Sequence, residues 1–213
     1  GLSVSHANLT HIHIAAMPAQ STTPGSQVIR HRYARQTRTT QMDIAVTDID
    51  QTITDCLVDA SFVEGLIIAD SALHEQLLSK EHLVETVDKL GLNRRGVVTA
   101  RRVARCADGL SESGGESKAR ALMIERGWQT PELQVELFDP VEPGRPYRVD
   151  YLWRVGDRLI IGEFDGFVKS EKAAEEGKLA KAQFDERQRE SRLSLLANCK
   201  IMRLCWDDLR DPT

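Results

Sequence analysis

The stretch Tyr147–Lys169, YRVDYLWRVGDRLIIGEFDGFVK, constrains this chain most, because its register can be counted before any fold is known. Two apolar runs flank Val155-Gly156-Asp157-Arg158, which is hairpin punctuation between strand-like segments. With Gly156 and Asp157 as a two-residue turn, Val155 pairs with Arg158. Counting outward, Trp153 faces Ile160, Tyr151 faces Gly162 and Asp150 faces Glu163. Directly opposed residues hold their Cβ atoms about 4.5–5.5 Å apart on one face. Asp165, two residues beyond Glu163, points to that face as well. Three carboxylates therefore converge at one end of a hairpin whose other face, Val149, Tyr151, Trp153, Ile160 and Phe164, is apolar. Like charges that close raise one another's pKa and destabilise the site unless a cation sits among them. Hard oxygen ligands suit Mg²⁺ or Mn²⁺. The same residues also read as a solvated strand end neutralised by Arg148 and Arg154.

The rest of the chain sets bounds on that reading. A length of 213 residues gives room for one large domain or two small ones. The net charge of −4 argues against a globally basic nucleic-acid binder, so contact with DNA would need a local patch. No apolar run approaches the roughly 20 residues of a membrane span, and no signal peptide is recognisable. Cys56, Cys106, Cys199 and Cys205 show no CxxC spacing. They read as buried apolar residues suited to a reducing cytoplasm, which is the location expected. The chain opens with Gly1-Leu2 rather than Met, so a further segment is expected upstream.

From Leu2 to about Asp50 short alternating apolar pieces are interrupted by Pro18, Pro24 and Gly25, which predicts short strands and loops. His11 and His13 share one strand face and could bind metal, but with no third ligand nearby a plain strand surface is the simpler reading. Arg30, His31, Arg32, Tyr33, Arg35 and Arg38 form a basic cluster open to phosphate or to solvent. Asp48-Ile49-Asp50-Gln51-Thr52 resembles the DxDxT motif of haloacid-dehalogenase-type phosphatases, in which the first Asp attacks phosphorus. That fold needs strands alternating with helices downstream, whereas Thr54 to Asp108 reads helical almost throughout. The alternative is a helix entrance whose Asp or Thr caps free amides.

Apolar periodicity predicts one helix over Asp55–Leu78, a second over Ser79–Leu90 with Gly91 as its stop, and a third over about Gly96–Asp108. Arg94, Arg95, Arg101, Arg102 and Arg105 line the third, the strongest basic patch in the chain and a candidate DNA-binding face. A charge run on a helix is usually just solvated. Ser111-Glu112-Ser113-Gly114-Gly115 then marks a boundary between residues 1–110 and 111–213. Beyond it come a helix from near Gly115 to Gly127, a strand over Leu133–Phe138, the hairpin, a long charged helix over Ser170–Ala197 and a strand over Lys200–Cys205. The predicted order is helix, three strands, helix, strand.

That order, with an acid in the first helix, one on the second strand and two on the third, resembles the PD-(D/E)XK nuclease superfamily. More closely, Gly115-Glu116-Ser117, Val149-Asp150-Tyr151, Glu163-Phe164-Asp165-Gly166 and Ile201-Met202-Arg203-Leu204-Cys205-Trp206 are similar to very-short-patch-repair-like endonuclease domains. Such domains close many actinobacterial proteins, behind a segment similar to abortive-infection type IV antitoxins. Thr52-Ile53-Thr54-Asp55 and Ile68-Ala69-Asp70-Ser71-Ala72-Leu73 resemble that segment. The resemblance implies an α/β fold with a restriction-endonuclease-like αβββαβ core behind a mainly helical N-terminal segment. It also implies Mg²⁺- or Mn²⁺-dependent hydrolysis of DNA, with Asp150, Glu163 and Asp165 as metal ligands and Glu116 positioning the metal or the water. Where the superfamily carries lysine, this chain has Asp165, and Lys169 is the implied replacement. Implied partners are DNA and a toxin or defence-system protein. The competing reading is a DNA-binding regulator that keeps the nuclease fold only as a scaffold.

Overall fold

A computed structural model describes residues 12–16, 27–32, 37–139, 141–142, 144, 146–165, 188–189, 191–193, 195 and 198–210. The chain divides into two compact units, Gly1–Gly109 and Leu110–Thr213.

In the first unit, β1 (Ile12–Ala16) pairs in parallel with β2 (Val28–Arg32), and β3 (Arg38–Gln41) pairs antiparallel with β4 (Ile44–Thr47). Four helices follow: α1 (Ile49–Asp59), α2 (Phe62–His74), α3 (Lys80–Leu90) and α4 (Val97–Cys106). Their inward faces, with Ile53, Leu57, Leu66, Ile67, Leu83, Val87, Val103 and Ala104, are buried. The single helix expected over Asp55–Leu78 is in fact two. Ala60 is extended, and Ser61 restarts the helix with a capping box in which its side chain accepts from the Glu64 N–H and Glu64 accepts from the Ser61 N–H. The apolar period runs across the break because both helices bury the same side, so periodicity alone could not reveal it.

In the second unit, α5 (Gly114–Glu125) precedes β5 (Glu132–Phe138), β6 (Pro146–Val155) and β7 (Arg158–Asp165), and β8 (Cys199–Cys205) comes last. One four-stranded sheet has the order β5-β6-β7-β8, antiparallel except for the parallel β7–β8 pair. The class is mixed α/β. Of the long helix expected over Ser170–Ala197, residues 188–189, 191–193 and 195 are described; the first five are helical and Leu195 lies in a turn. Among the described residues no helix is long and apolar enough to cross a membrane.

The hairpin follows the register counted from the turn as far as the sheet ladder runs: Val155 opposes Arg158, Trp153 opposes Ile160 and Tyr151 opposes Gly162, but the expected pair of Asp150 with Glu163 lies beyond the last paired residues. Gly156 takes the left-handed φ of 62° that the tight turn asks of its first residue. The expected apolar face needs correction. Tyr151, Trp153, Ile160 and Phe164 pack with α5 residues Ala119 and Met123, but Val149 joins Tyr147, Leu152, Ile161 and Leu193 in a separate cluster. Strict alternation would keep Val149 and Tyr151 on one face. The strand changes face between them, at Asp150.

Candidate active site

Ser113 caps α5, with its side chain accepting from the Glu116 N–H. In return Glu116 accepts from the Ser113 hydroxyl at 2.8 Å and from the Glu112 N–H at 2.9 Å. This local hydrogen bonding holds the Glu116 carboxylate at the start of the helix. Gly115 lets that turn lie close on the sheet, since a Cβ there would sit 2.2 Å from Cε1 of Phe164. The buried Tyr151 pins the same turn by donating its hydroxyl to the Glu116 carbonyl at 2.8 Å.

Opposite Glu116 stands Gln134 of β5. Its Nε2 donates to Glu116 Oε2 at 3.1 Å and, more weakly, to Asp150 Oδ1 at 3.4 Å. The second Asp150 oxygen accepts from the Phe164 N–H on β7 at 2.8 Å. Glu163, half-buried on β7, pairs with Arg189 at 2.5 Å, and the same guanidinium nitrogen donates to the Arg148 carbonyl. Arg148 in turn meets Glu112 at 2.8 Å. Gln134 thus joins Glu116 of α5 to Asp150 of β6, the β7 backbone holds Asp150 at Phe164, and the Glu163 carboxylate is taken by Arg189. Burial raises the pKa of Glu116 above the usual carboxylate range, and the charges of Asp150 and Glu112 add to this. Hydrogen bonds from the Glu112 N–H and Ser113 oppose the rise.

Not every residue of the expected constellation is gathered. Asp165 is exposed at the end of β7, opposite Cys205 in the β7–β8 ladder. Lys169 lies outside the described residues. Among the described residues no group of three or more His, Cys, Asp and Glu stands ready to hold a metal ion. The oxygens are of the hard kind that Mg²⁺ takes, so the donor set suits the ion in chemistry. In this arrangement, however, hydrogen-bond donors from Gln134, Phe164 and Arg189 occupy them. Sequence reasoning missed Gln134 and Arg189. Gln134 fits an ordinary alternating strand in LQVELF, and Arg189 lies in a uniformly charged helical stretch, so neither carried a local signal.

The arginine patch of the first unit is partly internal. Arg94 pairs with Asp55 at 2.5 Å, Arg101 pairs with Asp88 at 2.6 Å, and Arg102 stacks 4.1 Å over the Phe62 ring. Arg95, Arg102 and Arg105 are exposed. The two acids of the DxDxT resemblance serve the fold: Asp48 caps α1 by accepting from the Gln51 N–H, and Asp50 accepts from His82 of α3. His11 lies outside the described residues. His13 stacks on His31 with ring nitrogens 2.9 Å apart, and His31 reaches Asp59 at 3.4 Å. The four cysteines are half-buried rather than buried, and burial pushes the Cys56 and Cys199 thiols up.

Two uncharacterized proteins of Mycobacterium tuberculosis, MT2308 of strain CDC 1551 / Oshkosh and Rv2248 of strain ATCC 25618 / H37Rv, are each 36% identical to the chain over 101 residues. The match takes in 47% of this chain and 35% of each relative, so the chain spans about a third of the length of the curated relatives it matches. No family model matches the chain. No solved structure matches it.

Proposed function

We propose that residues 111–213 form a Mg²⁺- or Mn²⁺-dependent DNA endonuclease domain with a restriction-endonuclease-like core, similar to the very-short-patch-repair-like domains. The observation that carries this reading is the Gln134 bridge between Glu116 and Asp150, whose other oxygen takes the N–H of Phe164, the residue after Glu163. Asp150 and Glu163 would hold the ion. When bound, the ion activates water and offsets charge on the scissile phosphate. Glu116, whose proton affinity burial raises, is suited to hold a proton at the site. Arg189 and Lys169 are the candidates for the cation that the superfamily supplies as lysine, and Arg189 already touches Glu163.

A second reading has its own observation. Arg189 is paired with Glu163, which suits a DNA-binding regulator or antitoxin that keeps the fold as a scaffold. Incubation of the chain with single-stranded, nicked and duplex DNA, in Mg²⁺, in Mn²⁺ and in chelator, separates the two. The enzyme reading requires metal-dependent cleavage that Asp150→Asn or Glu163→Gln abolishes in folded protein. DNA left intact in every form with both metals leaves the regulator. A toxin or defence-system protein is the further partner proposed for residues 1–110, on the antitoxin resemblance.

A further inference from the structure

Gln134 is the point at which β5 departs from a regular strand. Its φ is 50°, in the left-handed region that residues with a Cβ enter uncommonly. The β5–β6 ladder pairs Leu133 with Tyr151 and Val135 with Val149, but not Gln134 with Asp150 between them. Leu133 packs in the cluster around Tyr151 and Trp153, whereas Val135 packs in the cluster around Val149 and Leu152. Both strands therefore change face at this one step. The change has a polar consequence: the Gln134 carboxamide stands between Glu116 and Asp150 and donates to both.

We infer that Gln134 is a positioning residue, whose side-chain amide holds the carboxylates of Glu116 and Asp150 together as one pair. The inference rests on the carboxylate-site reading above and deepens it. A residue serving the backbone alone would be replaced to advantage by glycine, which enters the left-handed region at little cost. Packing does not explain glutamine here; the two acceptors do. The amide carries no charge, so it screens the repulsion between the acids without cancelling the negative field that attracts a cation.

Two measurements on the chain test this. The first leaves Gln134 in place: the nitrogen-15 signals of its side-chain amide are followed in the metal-free protein, in Glu116→Gln and in Asp150→Asn. Both substitutions should shift them; signals unmoved in both variants overturn the inference. The second compares the parent with Gln134→Gly and Gln134→Asn, by thermal melting in chelator and by calorimetric titration with Mn²⁺. Gln134→Gly should melt near the parent temperature, because relief of the left-handed φ offsets the two lost hydrogen bonds, yet bind Mn²⁺ about tenfold more weakly, the usual effect of losing a partner that orients a ligand. Gln134→Asn, which keeps an amide and tolerates the backbone, should recover part of the loss. Affinity equal to or tighter than the parent in Gln134→Gly overturns the positioning role. If the parent itself binds no Mn²⁺, the metal reading falls while the amide signals still decide the role of Gln134. They decide it too if Gln134→Gly fails to fold.

Discussion

Gly115 and Phe164 are in contact so close that no side chain fits between them: a Cβ on Gly115 would lie 2.2 Å from Cε1 and 2.6 Å from Cζ of the ring. That contact joins the first turn of α5 to β7, and Glu116 and Glu163 are the neighbours of the two residues in sequence. Gly115→Ala should therefore cost about 1–3 kcal/mol, as overpacking does. Truncating the ring as well should return part of this, so the double variant Gly115→Ala/Phe164→Ala should melt above the sum of the single effects. Strict additivity in chemical denaturation would show that the ring moves aside freely.

The raised pKa of Glu116 gives a pH signature with a definite sign. Folding increases its proton affinity, so between the ordinary carboxylate range and the raised value the folded state holds more protons than the unfolded one. Its contribution to stability is present at lower pH and is lost as pH rises through the raised value. Glu116→Gln should flatten that decline in metal-free melts. A decline of equal slope in the variant would assign it to another group.

Asp139 behaves in the opposite sense. Burial alone would raise its pKa, but Arg192 at 2.7 Å, the N–H groups of Val141 and Glu142, and the Tyr147 hydroxyl hold it well below the usual carboxylate range. Stability from this pairing is present above the unfolded value near 3.9 and is lost as pH falls through the folded one. Asp139→Asn should lower the melting temperature clearly at neutral pH, and the gap to the parent should narrow in acid. Asp207→Asn, which breaks only the exposed pair with Arg210, should melt close to the parent. Equal melting of Asp139→Asn and parent at neutral pH would mean that the pairing does not hold Arg192 in solution.

The arginines of the first unit divide into structural and available ones. Arg94→Ala should destabilise by about 1–3 kcal/mol, because it leaves Asp55 without its guanidinium. Replacing the exposed Arg95 and Arg105 together should leave the melting temperature unchanged. If this face meets DNA, the double replacement should also weaken binding on all sequences alike and lower the salt slope by about two. An unchanged slope would assign the face to solvent.

Arg189 offers a test in which affinity and turnover move apart. Its guanidinium competes with any cation for Glu163, so Arg189→Ala should bind Mn²⁺ at least as tightly as the parent while melting lower in chelator. If Arg189 also serves the phosphate, cleavage should fall in the same variant. Weaker Mn²⁺ binding in Arg189→Ala would show that the arginine orients Glu163 rather than competes for it.

Much of the fold was legible in the sequence because it is decided within a few residues. The Gly156-Asp157 turn and the two-residue period set the β6–β7 register. The helix start at Ser79, and the helix entrance at Asp48 weighed against the phosphatase motif, follow from side chains that reach their own first turn. The carboxylates at 116, 150 and 163 were legible as residues, but their hydrogen-bond partners were not. Tertiary packing alone decided that β5 and β6 change face at Gln134 and Asp150, and that Arg189 reaches Glu163 across 26 positions. Such choices depend on which elements meet. A strand residue next to two carboxylates gains enough from donating to them to adopt a φ that its own identity disfavours. A guanidinium in a charged helix goes to the acid that the sheet brings within reach. Local chemistry wrote the elements and their ends; only the packed molecule could say which donors its acids would find.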